Sequence, residues 1–251
     1  MRPLFLLSND DGVNAIGLRT LREALSSVGD VAVCAPSVEQ SGTSHAITLN
    51  RPLRLVEQES GIFSVDGTPA DCVYVAVNAT NRVLPRRPDV VISGLNHGMN
   101  LGNDVFYSGT VAAAREGALR GIPGLAVSAS ARTDRKAASE VAAQIALKLV
   151  QSRGTTLLLN VNFPAGNRWP LQVTRLGTRR YSDSVEFRTD PRGGEYLWIG
   201  TGEVIHDKDA GTDTWAFDQG IVGLTPLSLE LWGSGQAAIA EVLVNEMQRP
   251  G

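Results

Sequence analysis

Short uninterrupted apolar runs alternate with stretches of helical period through the first two-thirds of the chain. Leu4 to Leu7 is such a run, as expected of a strand buried on both faces. Leu18, Leu21 and Leu25 then recur at helical spacing, with Gly29 as the stop. Val31 to Ala35 predicts a second strand, halted by Pro36, and Ile62 to Val65 predicts another. Thr68-Pro69 opens a helix, because threonine caps a first turn and proline has no N–H to leave unpaired there. Val90 to Ser93 predicts a strand stopped by Gly94, and Thr110 to Arg120 an alanine-rich helix. Leu125 to Val127 predicts a strand, Ala137 to Val150 a helix and Leu157 to Val161 a strand. Strands and helices in alternation predict an α/β fold on a doubly wound, mostly parallel sheet.

The pattern changes at Phe163. From there to Gly220 no helical period is visible, and Arg, Gly, Asp and Thr are frequent. Pro191-Arg192-Gly193-Gly194 is a turn signal, followed by Tyr196-Leu197-Trp198-Ile199, which predicts an extended β-hairpin arm. A strand over Ile221 to Leu224 and a helix over Gly235 to Met247 close the chain. The expected organisation is a core over 1–162, an arm over 163–220 that serves oligomerisation, and a strand and helix over 221–251 that complete the fold.

Composition narrows the partners. The chain has 251 residues, 43% of them hydrophobic and 20% charged, with a formal net charge of -3. No long Lys/Arg cluster marks a face for polymeric nucleic acid. Arg179-Arg180 is a short pair that reads as solvated surface. Cys34 and Cys72 belong to no CxxC pair and read as small buried hydrophobes. The N-terminal apolar run is too short for a signal peptide, and no run approaches the roughly 20 residues that span a bilayer. The expectation is a soluble cytoplasmic protein with no membrane partner.

In an open parallel sheet, ligands bind beyond the carboxyl ends of the strands. Three polar, glycine-punctuated loops follow predicted strands: Asn9-Asp10-Asp11-Gly12, Pro36 to Gly42, and Gly94 to Asn100. Adjacent carboxylates at a buried strand end repel each other unless protons or a hard cation relieve them. Asn-Asp-Asp-Gly is also good turn chemistry. The convergence of the three loops favours the cation. Ser108, Gly109 and Thr110 open the alanine-rich helix, where exposed N–H groups attract phosphate, although Ser and Thr are also ordinary caps. His45 and His97 lie in candidate loops, and Glu39 and Asp104 are candidate neighbouring bases or plain surface charge. Trp198, Trp215 and Trp232 read as packing anchors. The motifs GxGxxG after the first strand, GxxxxGK[ST], GxSxG and HExxH are absent.

The segments Ser8-Asn9-Asp10-Asp11-Gly12, Ala35-Pro36 to Gln40-Ser41-Gly42, Ser44-His45 and Gly67 to Cys72 together resemble the survival protein E (SurE) family of nucleotidases. So do Ser93-Gly94-Leu95-Asn96-His97-Gly98, Asn100-Leu101-Gly102, Tyr107 to Thr110, Asn160-Val161-Asn162 and Leu224 to Leu227. Leu95 and Ala112 stand where the family pattern leads one to expect Ile and Gly. The resemblance implies a Rossmann-like core with an arm exchanged in a homodimer or homotetramer. It implies a phosphomonoesterase acting on nucleoside 5′-monophosphates, with 3′-monophosphates and polyphosphate as further substrates. It also implies one divalent metal cation per subunit held by Asp10, Asp11, Ser41 and Asn96; these oxygen donors suit Mg2+ or Mn2+. Asp10, Asp11 and Asn96 are then the expected catalytic residues, and Asn9, Ser108, Gly109 and Thr110 the expected phosphate contacts. The alternative from another class is a non-catalytic, metal-dependent nucleotide-sensing module.

Overall fold

The computed structural model describes residues 2–79, 81–151, 156–181, 185–199 and 203–248. The elements run β1 (Leu4–Ser8), α1 (Ile16–Ser26), β2 (Asp30–Pro36), β3 (Leu55–Glu59), β4 (Ile62–Val65), α2 (Pro69–Asn78) and β5 (Val90–His97). After a 3-10 turn at Gly102–Phe106 come α3 (Gly109–Leu119), β6 (Gly124–Ala129), α4 (Arg135–Gln151), β7 (Leu158–Phe163) and β8 (Leu171–Val173). The last third holds β9 (Arg179–Tyr181), β10 (Val185–Thr189), β11 (Glu195–Ile199), β12 (Val204–His206), α5 (Asp213–Asp218), β13 (Val222–Leu227) and α6 (Ala237–Met247).

Nine strands form one sheet in the order β3-β4-β2-β1-β5-β6-β7-β13-β8. The six from β4 to β7 are parallel, and antiparallel pairings enter at β3–β4 and β7–β13. Leu18, Leu21 and Leu25 of α1 pack with Ala142 and Ala146 of α4 on one face. Cys72 and Val73 of α2 and Ala113 of α3 cover the other. Two layers of helices thus enclose the central strands, and the strand order reverses about β1 and β5. That crevice is where ligands bind in such sheets. Thr68 caps α2 by accepting from the Asp71 N–H, Asp71 accepts in return from the Thr68 N–H, and Pro69 sits in the first turn.

Several sequence expectations change. β3 was not expected; its sequence, Leu-Val-Glu-Gln-Glu, is mostly polar because it is an exposed edge. β5 does not stop at Gly94 but continues to His97 through a register irregularity after Ser93, with a cis Gly94–Leu95 peptide. Gly94 has φ +141, and a Cβ there would stand 2.3 Å from the Val127 carbonyl oxygen, so only glycine fits against β6.

The 163–220 stretch is not all arm. β8 pairs with β13 in the main sheet, and α5 is a short helix capped by Thr212. The protruding part is a pair of antiparallel ribbons, β9 with β12 and β10 with β11, closed by a turn at Asp190 to Gly194. Residues 182–184 and 200–202 of the expected arm lie outside the described residues. β13 lies in the sheet between β7 and β8, and α6 does not join the core. Its Ile239, Val242, Leu243, Val244 and Met247 are all exposed. Trp198 and Trp232 are exposed rather than anchors of this chain's core, whereas Trp169 packs edge-on against Phe163.

Candidate active site

β1 ends by delivering Asn9, Asp10 and Asp11 to the crevice. Asn9 is fully buried and its amide donates to the Gly12 carbonyl at 2.9 Å, closing the turn. Its Oδ1 has no partner among the described residues. Asp10 is 4% exposed and accepts the Thr110 hydroxyl proton on Oδ1 at 2.5 Å. Burial, reinforced by the Asp11 charge and opposed by that hydrogen bond, pushes the Asp10 carboxyl from 3.8 up to about 6. Asp11 is half-buried and its Oδ2 accepts the His97 N–H at 3.3 Å, tying the first loop to the end of β5. Burial raises its carboxyl as well, with Glu39 adding to the rise and His97 opposing it. Among the described residues neither carboxylate is in an ion pair.

The second loop is drawn over the first. Gln40 N–H donates to the Asp10 carbonyl at 2.7 Å, and Ser44 N–H to the Tyr107 carbonyl at 3.0 Å. This carries Ser41 to a cavity of about 370 Å3 that Asp10, Asn96, Asn100 and Ser108 also line. Asp11 does not line that cavity; it reaches the rim through His97. Ser41 Oγ gives its proton to Glu39 at 2.9 Å, which leaves its lone pairs for another partner. Asn96 donates its amide to the Gly98 carbonyl at 3.1 Å, which leaves Oδ1 as an acceptor. No group of three or more His, Cys, Asp or Glu converges among the described residues. A cation at this cavity would therefore draw on carboxylate, hydroxyl and amide oxygens, a donor set that fits a hard divalent ion. The buried, unpaired charge of Asp10 is an independent reason for one to be attracted.

The start of α3 departs from the expected phosphate contacts. The Thr110 side chain is fully buried and committed to Asp10, so it positions the carboxylate and does not face the cavity. Ser108 is the N-cap, its Oγ accepting from Val111 N–H at 3.1 Å, and its own N–H goes to the Asp104 carbonyl. Gly109 is needed for packing: a Cβ there would lie 2.9 Å from the Asp10 Cβ and 3.0 Å from Pro69 Cγ. The Gly109 N–H and the Ser108 hydroxyl are what this helix start offers an anion.

Residues to which the sequence assigned no role in the site support this frame. His45 pairs with the buried Glu116 at 2.9 Å, and Arg120 holds the same carboxylate at 2.8 Å. Burial alone would raise the Glu116 carboxyl, but these two hydrogen bonds bring it below the usual range. Asn160 and Asn162 both donate to the Asn100 carbonyl, at 2.7 and 3.0 Å, and Asn162 accepts the Asn100 N–H at 2.8 Å. They lie two apart on β7, the spacing that puts side chains on one face of a strand. Arg179 is not solvated surface: its side chain is 13% exposed and pairs with Asp104. Arg180, its neighbour, is exposed. Cys34 and Cys72 are free and buried, as small hydrophobes should be.

The model of the family described as Survival protein SurE matches residues 5–183. A protein named 5′-nucleotidase SurE from Sorangium cellulosum (strain So ce56) is 56% identical over 252 residues, covering 98% of both chains. Another of that name, from Anaeromyxobacter dehalogenans (strain 2CP-C), is 50% identical over 90% of this chain and 89% of its own. The crystal structure of a SurE protein from Aquifex aeolicus has TM-score 0.82 at 36% identity, over 96% of this chain and 100% of that one.

Proposed function

The chain belongs to the survival protein SurE family, and from that premise and the geometry of the crevice we propose that it is a 5′-nucleotidase. It hydrolyses nucleoside 5′-monophosphates to nucleoside and phosphate, with one divalent cation held in the cavity by Asp10, Ser41 and Asn96 and from its rim by Asp11. The observation that carries this reading is the buried Asp10 carboxylate, without an ion-pair partner, at the carboxyl edge of a parallel sheet. When bound, Mg2+ or Mn2+ supplies positive charge for a phosphoryl oxygen and for activating water.

The chain's own residues prepare the rest. Thr110 fixes the rotamer of Asp10, and the Gly109 N–H with the Ser108 hydroxyl receives phosphate oxygens as charge develops. His97, whose backbone N–H bonds the Asp11 carboxylate at the rim, is the group able to hand a proton from its ring to the departing nucleoside hydroxyl. The substrate range we propose includes 3′-monophosphates and polyphosphate, as the family resemblance implies. The arm and α6 pack against a second copy of the chain.

Phosphate release from a panel of 5′- and 3′-monophosphates, with chelator and after adding back Mg2+ or Mn2+, tests the reading. Turnover should vanish with chelator and return with either ion. Release from no monophosphate, or full activity in chelator, overturns it.

A further inference from the structure

The cavity that holds Asp10 has a second wall that no step of hydrolysis uses. It is aromatic: Tyr107 follows the 3-10 turn and Tyr181 ends β9. Tyr181 belongs to the arm by sequence, yet it reaches the site because the arm's root is fastened to that turn. Asp104 in the turn is 7% exposed and uses both carboxylate oxygens on the arm. Oδ2 pairs with the Arg179 guanidinium, and Oδ1 accepts the Tyr181 hydroxyl proton at 3.0 Å. Asn103 Oδ1 adds a bond from Arg179 N–H at 3.1 Å, and Gly102 N–H donates to the buried Asp213 at 2.9 Å. The Arg179 guanidinium carbon also lies 5.5 Å from the centroid of the Tyr181 ring.

Tyr181 is therefore fixed at its polar end. Burial, then the adjacent Asp104 charge, raises its phenol, so it remains a hydrogen-bond donor. Tyr181 as a residue is still 43% exposed, and Tyr107 is 66% exposed. A partly bare aromatic ring, immobilised by a buried ion pair beside a polar cavity, is a stacking surface for a flat heteroaromatic group. Every nucleobase has such a π-face, so stacking binds bases with little regard to sequence. The phosphate end of the same cavity is already defined by Asp10 and Ser108.

We propose that Tyr181, held in place by Asp104 and Arg179, contacts the base of the bound nucleotide, with Tyr107 as a second aromatic surface. The root of the arm thus makes the site prefer nucleotides to other phosphate esters. This rests on the nucleotidase reading, which it makes more specific.

The test compares Tyr181→Leu and Tyr181→Phe with wild type on adenosine 5′-monophosphate and on ribose 5-phosphate, which keeps the sugar and phosphate but lacks the base. Wild type should prefer the nucleotide. Tyr181→Leu should reduce that preference about tenfold, through KM for the nucleotide, because a stacked base contributes of that order. Ribose 5-phosphate turnover should fall less than nucleotide turnover, and circular dichroism and Tm check that each variant folds. Tyr181→Phe keeps the ring and should keep most of the preference. Equal loss on both substrates, an unchanged ratio in Tyr181→Leu, or no wild-type preference overturns the assignment of Tyr181 while leaving the nucleotidase reading intact. Wild type that releases phosphate from neither compound removes both.

Discussion

Asp10 has lost almost all contact with water, and the Thr110 hydroxyl compensates for only part of that loss. Folded Asp10 holds its proton up to about pH 6, whereas in the unfolded chain the ordinary value of 3.8 applies. The folded state's advantage is full below the lower value and is lost as pH rises through the upper one. Metal-free protein should therefore be destabilised between pH 4 and pH 7, by up to about 3 kcal/mol from this residue if each unit is worth ~1.4 kcal/mol. Asp10→Asn removes that dependence. We expect the variant to be inactive, yet more heat-stable than wild type in chelator at pH 8, with that difference reduced to about a third at pH 4.5. Thermal unfolding at the two pH values checks this, and a variant less stable than wild type at pH 8 would show that the carboxylate is satisfied by something other than a cation. By the same sign, protons compete with a cation at Asp10, so metal affinity should weaken as pH falls through 6.

At the scale of elements, the loop that carries Ser41 is held down by its neighbours. Ser44 bonds backbone groups just before α3, Thr48 bonds Asp71 of α2, and His45 bonds Glu116 in the body of α3. Glu116→Gln keeps the shape and removes the charge that His45 and Arg120 share. Truncating a buried charge pair leaves its partners uncompensated, at a cost of roughly 1–3 kcal/mol. The expected result is a lower Tm together with a several-fold fall in kcat, because the loop bearing Ser41 loosens. A lower Tm with unchanged kcat would make the contact purely structural. Little of this was legible in the chain. The apolar runs announced β1, β2, β5, β6 and β7, because central parallel strands are buried on both faces. The edge strand β3 and the six-residue α5 gave no period to read. The adjacent carboxylates pointed to the candidate site, because two charges at a buried strand end repel each other unless a cation or protons relieve them. Arg179 could not be read, because its partner Asp104 lies 75 residues away and only tertiary structure brings the two together. Thr110 looked like a phosphate contact because a cap residue and a carboxylate partner have the same sequence signature.

Taken whole, one chain leaves too much apolar surface bare. On the outer ribbon Phe187, Leu197, Trp198 and Ile199 are 61%, 48%, 56% and 80% exposed. At the C-terminal end Leu231, Trp232 and Met247 are 94%, 69% and 88% exposed. Large apolar groups this exposed, on a two-stranded ribbon that alone is marginally stable in water, mark surfaces that a partner covers. A second copy, related by a twofold axis, can bury the same patch on both chains at once. The expected assembly is a homodimer or a dimer of dimers. The two surfaces are separate in sequence, so they can be tested separately. Removing both strands of the outer ribbon, Val185 to Ile199, avoids leaving β10 without its partner β11. Replacing Val242, Leu243 and Met247 together by Ser, Gln and Gln makes α6 polar without shortening it. Light scattering after size-exclusion chromatography at micromolar protein should show that each change lowers the mass by at least one assembly step. The ribbon deletion should leave kcat/KM on ribose 5-phosphate near wild type if the ribbon serves assembly alone, because the cavity is walled by β9 at the arm's root. A wild type that elutes as a monomer, or variants that keep its full mass, would mean that these surfaces are covered by something other than a second copy of the chain.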